Sequence, residues 1–285
     1  MIDLPLGEIV INPGAYEAPI WESQGVAYDN CILAQDGREY HRSTDVKSWL
    51  VKGFFGGSSS TKLGHDVHRM FYHLVSGEEF NITKQSARKN SNAYLDELAS
   101  LNERYPHGNF CLCSESVYKK MLLRKRQFEL NGHMIKGACP EIVYLSKADG
   151  VGIFGNINMK AQIDIRREVE GRYQIIDFKT TSKTTLSEIV HQMRNLHYDL
   201  QMLYYYTAVA RIHGGDKTSP NAELWFFPES TDADIVKIVL PMAKIEKYYK
   251  DNWFKGRTLK DYKADYDYMH QTGVYIYDGQ SLTRA

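Results

Sequence analysis

The spacing of hydrophobic and polar residues changes near residue 140. Before it, apolar residues recur at helical spacing, which predicts helices over Thr61–Val75, Lys84–Tyr105 and Ser114–Leu130, with Ser114 suited to an N-cap. Residues 1–60 show no such period and are expected to be irregular. They run into the stretch GFFGGSSSTK, whose Gly and Ser residues indicate a break between elements.

After residue 140 the period falls to two. Four successive runs predict an antiparallel set of strands: PEIVYLS, VGIFGNIN, KAQIDIRRE and RYQIIDFKTT. A long helix is predicted from Thr185 to Ile212, then strands at AELWFFP and DIVKIVL, and then a helix from Pro241 to Trp253. Strands mixed with helices in this order predict one α/β (α+β) domain over residues 1–285, with a core over residues 61–254 and a tail over residues 255–285.

Composition narrows the class of protein. The chain has 43% hydrophobic residues, and its 35 basic residues balance 35 acidic ones, which argues against a protein that coats nucleic acid indiscriminately. We find no apolar run of the roughly 18 residues that a membrane helix needs and no secretory signal, so the cytoplasm is the expected location. Four cysteines without a CxxC pair predict inert thiols rather than a disulfide framework.

The stretch MKAQIDIRREVEGRYQIIDFKTT predicts a β-hairpin with charged residues inside apolar strands. A two-residue turn at Glu170-Gly171 would place Asp164 directly opposite Asp177. Alternation puts Lys179 on the same face as Asp177. The other face is then expected to be apolar and to belong to the core, with Ile163, Ile165, Ile176 and Phe178.

Two opposed carboxylates destabilise a sheet unless something compensates their repulsion. A divalent cation is a natural candidate, and hard oxygen ligands favour Mg²⁺ or Mn²⁺. Lys179 beside such a site would stabilise an attacking hydroxide or the charge on a phosphate. The alternative is an exposed hairpin whose outer face carries charge, with Lys179 paired to a carboxylate. A β-bulge near the site would also change the register.

Asp164 followed by IIDFKTT, with Asp177 and Lys179, resembles the PD-(D/E)xK nuclease core. HYDLQMLYYY resembles the Gln-x-x-x-Tyr motif of RecB-like nucleases, carried by Gln201 and Tyr205. Two further stretches resemble exodeoxyribonuclease VIII (RecE)-type enzymes. They are LGHDVH, in which the matching histidine is His68, and PEIVYL, in which Glu141 is the carboxylate.

This resemblance implies a restriction-endonuclease-like fold with a central mixed sheet flanked by helices. It implies an Mg²⁺-dependent exodeoxyribonuclease, with Mn²⁺ as a substitute, that degrades linear double-stranded DNA from the 5′ end and leaves 3′ overhangs for recombination. RecE-type members are ring tetramers that supply single strands to an annealing recombinase, and the resemblance implies the same assembly and partner for this chain. It also implies a phage-encoded protein in the bacterial or phage-infected cytoplasm.

The resemblance also implies roles for residues. Metal would be held by His68, Glu141, Asp164, Asp177 and the Phe178 carbonyl, and Lys179 would position or activate water. His68 is open to a second role as a phosphate contact. Gln201 and Tyr205 would brace the site or hold DNA. Iron–sulfur members carry cysteines after the Gln-x-x-x-Tyr helix and this chain has none there, so we expect no iron–sulfur cluster.

Two other functions fit the same motifs. One is an endonuclease or repair nuclease, because the core motif does not separate cleavage at an end from internal cleavage. The other is a catalytically inactive nuclease-like module that binds DNA or a protein.

Overall fold

The computed structural model describes residues 8–10, 32–33, 39–51, 59–229, 234–272, 274–277 and 280–283. Within these residues one eight-stranded sheet forms the centre. Its strands are β1 (Glu8–Val10), β2 (Ile32–Leu33), β3 (Glu39–Arg42), β6 (Cys139–Ser146), β7 (Asn158–Val169), β8 (Arg172–Thr181), β9 (Asn221–Pro228) and β10 (Val236–Pro241). Two small sheets are formed by β4 (Asn81–Lys84) with β5 (Phe110–Cys113), and by β11 (Val274–Tyr277) with β12 (Gln280–Thr283).

Helices lie on both faces of the central sheet. They are α1 (Ser43–Val51), α2 (Ser59–Val75), α3 (Asn92–Arg104), α4 (Glu115–Asn131), α5 (Leu186–Asn195), α6 (Tyr198–His213), α7 (Met242–Asn252) and α8 (Leu259–Thr272). Among the described residues, none of the helices has the length and apolar character needed to cross a membrane.

The central sheet is mixed. Its main path runs β1-β6-β7-β8-β9-β10, while β3 pairs with β7 and β2 pairs with β3. β6, β7 and β8 are antiparallel neighbours, whereas β8 is parallel to β9 and β3 is parallel to β7. A mixed sheet between helices confirms the predicted α/β class.

Two apolar clusters cover the two faces of the sheet. The α6-side cluster contains residues of α6 and one set of strand positions, among them Ile142, Met159, Ile163, Leu203 and Phe226. The α2-side cluster contains residues of α2, α4 and the alternate strand positions, among them Met70, Phe71, Phe128, Phe178 and Phe227. Burial of these side chains supplies the hydrophobic free energy that holds the helices to the sheet.

One edge of β7 is shared by two strands, and this leaves an opening. β6 pairs with the other edge of β7 along most of its length. On the shared edge, β3 pairs with residues 158–160 and β8 pairs with residues 165–169. Residues 161–164 therefore border a gap, which we call the fork. Since α1 begins directly after β3, its first residues lie beside the fork.

Several predicted elements differ from the structure. VGIFGNIN was expected to be a strand, but residues 151–157 form turns, in which Gly150 and Gly155 are joined by a backbone hydrogen bond of 2.9 Å. The helix predicted over Lys84–Tyr105 starts only at Asn92, because residues 81–84 pair with β5 as a strand.

The long helix predicted over Thr185–Ile212 is two helices, α5 and α6. They are separated at His197, which has a left-handed φ of 49°. Within residues 1–60, expected to be irregular, residues 39–51 form β3 and α1. Most of GFFGGSSSTK lies outside the described residues, and its last four residues belong to α2.

Candidate active site

A cavity of about 370 Å³ lies at the fork. Its wall is built by β3, α1, α2, β6, β7, β8 and α6, so seven elements contribute side chains to it. All seven of the side chains selected from the sequence that are polar line this cavity: His68, Glu141, Asp164, Asp177, Lys179, Gln201 and Tyr205. The eighth predicted site residue is Phe178, whose carbonyl was expected to bind metal. It lies in β8 between Asp177 and Lys179.

The predicted hairpin turn is confirmed. Glu170 and Gly171 both have left-handed φ values, 52° and 73°, and Val169 pairs with Arg172. Two positive φ values match the type I′ turn that suits the twist of a hairpin. The predicted register holds as far as the pair Ile165–Ile176 and then stops, one pair before Asp164 and Asp177.

The apolar set expected behind the carboxylates is divided between the two faces. Ile165, Ile176 and Phe178 belong to the α2-side cluster, but Ile163 belongs to the α6-side cluster. The alternation of β7 is therefore broken at Asp164, and the expectation of one shared apolar face was wrong for Ile163. The break coincides with the end of the β7–β8 pairing, so the strand geometry changes at Asp164.

Asp164 is held by three donors. Its Oδ2 accepts the backbone N–H of Phe178 at 2.7 Å, and its Oδ1 accepts the hydroxyl of Tyr72 at 2.8 Å and lies 3.3 Å from His68 Nδ1. Burial alone would raise the pKa of Asp164, but His68, Lys179 and the Phe178 N–H lower it to about 2. Burial likewise opposes protonation of His68, yet the charge of Asp164 and their hydrogen bond raise its pKa.

Asp177 and Lys179 form a buried ion pair between Asp177 Oδ2 and Lys179 Nζ. Burial and the nearby charge of Asp164 raise the pKa of Asp177, while Lys179 opposes the rise. Burial would lower the pKa of Lys179, but Asp177 and Asp164 together raise it. With two carboxylates around it, the Lys179 ammonium group keeps the proton of this pair.

Glu141 is a residue of β6 and faces the position of Asp164 on β7. It lies between the pairs Pro140–Ile165 and Ile142–Ile163. It adopts a left-handed φ of 50°, which is unusual for a residue other than glycine and costs free energy. Burial and the charge of Asp164 raise its pKa to about 7, although a 3.0 Å hydrogen bond from Gln162 Nε2 to Glu141 Oε1 opposes the rise. Backbone strain and a perturbed carboxyl pKa at one residue are typical of functional sites.

Gln201 and Tyr205 are one turn apart on α6 and bind each other, with Gln201 Nε2 donating to the Tyr205 hydroxyl at 2.7 Å. Gln201 Oε1 is buried and accepts no hydrogen bond from the described residues. A buried carbonyl oxygen without a donor is costly, so this atom is available to a ligand that carries one.

Sequence reasoning missed several residues of the cavity. Tyr72 lies one helical turn after His68 on α2, and Gln162 lies two residues before Asp164 on β7, so helix and strand periodicity could have identified both. Arg42 and Lys160 could not have been found in this way, because their contact depends on the pairing of β3 with β7.

The donor chemistry of the cavity fits a hard divalent cation, because three carboxylates on neighbouring strands line it. In the described part of the chain, however, no three His, Cys, Asp or Glu side chains are arranged so that together they could hold a metal ion. Each carboxylate already has a donor of the protein as a partner: Gln162 for Glu141, Tyr72 for Asp164 and Lys179 for Asp177. Metal binding would have to displace some of these contacts.

Among the described residues, Cys111, Cys113 and Cys139 form no disulfide, and burial raises the pKa of Cys111 to about 12. None of these three lines the cavity.

Two of the solved structures that are similar to this chain are described as exonucleases. A candidate exonuclease from Eubacterium rectale is similar in structure, with 14% sequence identity, a TM-score of 0.48, and coverage of 79% of this chain and 81% of that one. A phage-related exonuclease from Haemophilus somnus 129PT is similar with 13% identity, a TM-score of 0.31, and coverage of 74% and 94%. No curated protein matches the sequence significantly.

The family model of the PD-(D/E)XK nuclease superfamily matches residues 51–275, which include every residue chosen for the site. Nucleases of this superfamily generally use divalent metal ions. Because the match extends over most of the chain, the protein belongs to the PD-(D/E)XK nuclease superfamily.

Proposed function

We propose that this nuclease is an Mg²⁺-dependent exodeoxyribonuclease that degrades linear double-stranded DNA from the 5′ end and leaves 3′ single-stranded overhangs for recombination. The observation that carries the proposal is that Asp164, Asp177 and Lys179 line one cavity with walls from seven elements. A strand end reaches side chains recessed among several elements more readily than the middle of a duplex does. The polarity and the link to recombination rest on the resemblance to RecE-type enzymes.

Glu141, Asp164, Asp177 and the Phe178 carbonyl would hold Mg²⁺, or Mn²⁺ in its place. A bound divalent cation would polarise the scissile phosphate and lower the pKa of the attacking water. His68 fits the role of charge partner better than that of metal ligand, because its Nδ1 is directed at Asp164 and its pKa is raised.

The protein's own groups supply the remaining chemistry. Lys179 carries its proton beside two carboxylates, so it is suited to donate to a phosphate oxygen or to orient the water. The N–H of Phe178 and the hydroxyl of Tyr72 fix the carboxylate of Asp164. Arg42 and Lys160 add positive charge to the wall, where contacts to the DNA backbone would favour binding.

End-labelled linear duplex DNA provides the test. With Mg²⁺, the protein should release nucleotides from the 5′ end of linear duplex with or without a 5′ phosphate, and it should leave a closed circle intact. Cleavage of the closed circle would favour the endonuclease or repair nuclease, and DNA binding without cleavage would favour the inactive module.

We also propose that the protein assembles as a cyclic homo-oligomer, most simply a ring tetramer, and hands single strands to an annealing recombinase. A chain with zero net charge has little long-range attraction for DNA. Enclosing the duplex in a ring would keep the enzyme on its substrate by topology instead.

A further inference from the structure

Two buried lysines share one aromatic ring beside the carboxylates. Lys179 Nζ lies 4.9 Å from the centroid of the Tyr198 ring, and Lys47 Nζ lies 5.5 Å from the same centroid. Both distances fall within the range of about 6 Å over which a cation is attracted to an aromatic face. Lys47 is only 6% exposed, and the Lys179 side chain is 15% exposed.

The fold places this ring firmly. Tyr198 is the first residue of α6, directly after the left-handed His197 that separates α6 from α5. Its ring also packs against Phe226 of β9, with centroids 6.2 Å apart. The ring is therefore fixed both by the turn that starts its helix and by a strand of the central sheet.

Tyr198 is not one of the site residues predicted from the nuclease motifs, and its side chain does not line the cavity. Its ring nevertheless contacts Lys179, the lysine that is paired with Asp177. We propose that Tyr198 is a positioning residue whose ring holds the Lys179 ammonium group beside Asp177. This proposal rests on the proposed nuclease function.

Lys47 provides a second observation for the same ring. Two ammonium groups in one buried region repel each other, and burial together with the charge of Lys179 lowers the pKa of Lys47 to about 8. Despite this cost, both ammonium groups lie over the ring of Tyr198. The charges of Asp177 and Asp199 compensate part of this cost, and the π face of Tyr198 adds to that compensation.

The position of Lys179 can be measured without any catalysis. Reductive methylation of metal-free, DNA-free protein, followed by peptide mass spectrometry, reports the accessibility of Lys179 relative to Lys119, whose side chain is 74% exposed. Tyr198→Leu should raise the relative methylation of Lys179, whereas Tyr198→Phe, which keeps the ring, should restore the wild-type value. Tyr206→Leu serves as the matched control, because Tyr206 lies in the same helix and packs against the α6-side cluster.

Catalysis provides the second readout. Tyr198→Leu should lower kcat on linear duplex by roughly tenfold with little change in KM, which is the loss expected from a desolvated cation–π contact. Tyr198→Phe should recover most of kcat. Unchanged methylation of Lys179 in Tyr198→Leu, or a Phe variant as impaired as the Leu variant, would overturn the proposal. If the wild-type protein cleaves no DNA, the nuclease function fails, while the methylation result still decides the role of Tyr198.

Discussion

The backbone N–H of Phe178 donates to the carboxylate of Asp164 across the point where β7 and β8 stop pairing. A side-chain oxygen thus takes the N–H that a strand carbonyl would otherwise bind. On this edge of β7, β3 pairs with residues 158–160 and β8 with residues 165–169, and Asp164 lies in the gap between them. The cavity lies where the pairing of β7 with β8 ends, so the break in the sheet and the candidate active site coincide.

Asp177→Asn and Lys179→Met should each lower Mg²⁺-dependent hydrolysis of linear duplex by about a hundredfold or more, because each removes a charge at the reacting phosphate. Release of acid-soluble nucleotide measures the effect, with circular dichroism to check the fold. Asp216→Asn, at an exposed position outside the cavity, is the control and should keep wild-type activity. Near-normal cleavage by Asp177→Asn would refute the assignment of the site.

Asp164→Asn should destabilise the metal-free protein. Repulsion between opposed carboxylates alone would predict the opposite, but Asp164 is stabilised by Tyr72, His68 and the Phe178 N–H. Since the folded state lowers its pKa from 3.8 to about 2, the carboxylate contributes about 2 kcal/mol above pH 4, and this is lost as pH falls towards 2. Urea denaturation at pH 7 measures the difference. A variant as stable as wild type would contradict it.

Glu141→Gln should have the opposite effect at pH 8. The folded state raises the pKa of Glu141 from 4.5 to about 7, so the metal-free protein loses stability as pH rises from 4.5 through 7. Replacing the carboxylate removes that loss, and the variant should melt higher than wild type at pH 8 but not at pH 4.5. Glu168→Gln, on the exposed end of β7, should leave the melting temperature unchanged at both values. A Glu141→Gln variant that melts lower at pH 8 would show that the left-handed residue is stabilising as an anion.

The hairpin was predictable because its determinants are local. Glu170-Gly171 fixes the turn, and the turn fixes the register as far as the pair Ile165–Ile176, next to Asp164 and Asp177. The grouping of Asp164, Asp177 and Lys179 could therefore be predicted from one stretch of sequence. The break in alternation at Asp164 could not be predicted, because it shows only in the folded sheet, where Ile163 and Ile165 join different apolar clusters.

Two other predicted elements were wrong because of tertiary contacts that cannot be seen in the sequence. His197 breaks the predicted long helix, and its Nδ1 lies 3.0 Å from the hydroxyl of Tyr249, which in turn donates to Asp199 at 2.9 Å. These tertiary contacts override helix propensity. The run VGIFGNIN has strand-like composition, but the backbone of Gly155 packs so closely on Gly150 that an added Cβ would lie 2.5 Å from it. Only glycine permits that closed loop.

The assembly should be visible in solution. Light scattering should report about four times the 32.8 kDa chain mass if the ring tetramer forms. Tyr268 of α8 is 48% exposed and suited to a subunit contact, because aromatic residues are enriched at interfaces. Tyr268→Ala should therefore reduce the average mass, whereas Lys244→Ala on α7 is the control. A stable monomer that digests long linear DNA processively would contradict the ring.

Lys47→Met should stabilise the protein below pH 8. Burial, with the charge of Lys179, lowers the pKa of Lys47 from 10.5 to about 8, so the folded state disfavours its charged form. The full cost, roughly 3 kcal/mol from the size of the shift, applies below pH 8. It declines as pH rises from 8 to 10.5, because the folded protein releases the proton near pH 8 and the unfolded chain releases it near pH 10.5. The free energy of unfolding of Lys47→Met should thus exceed that of wild type at pH 7, and the difference should shrink at pH 10. Lys47→Arg, which keeps a charge at both values, should show no such convergence. A difference between Met variant and wild type that stays constant from pH 7 to pH 10 would mean that Lys47 is not charged at a cost in the folded protein.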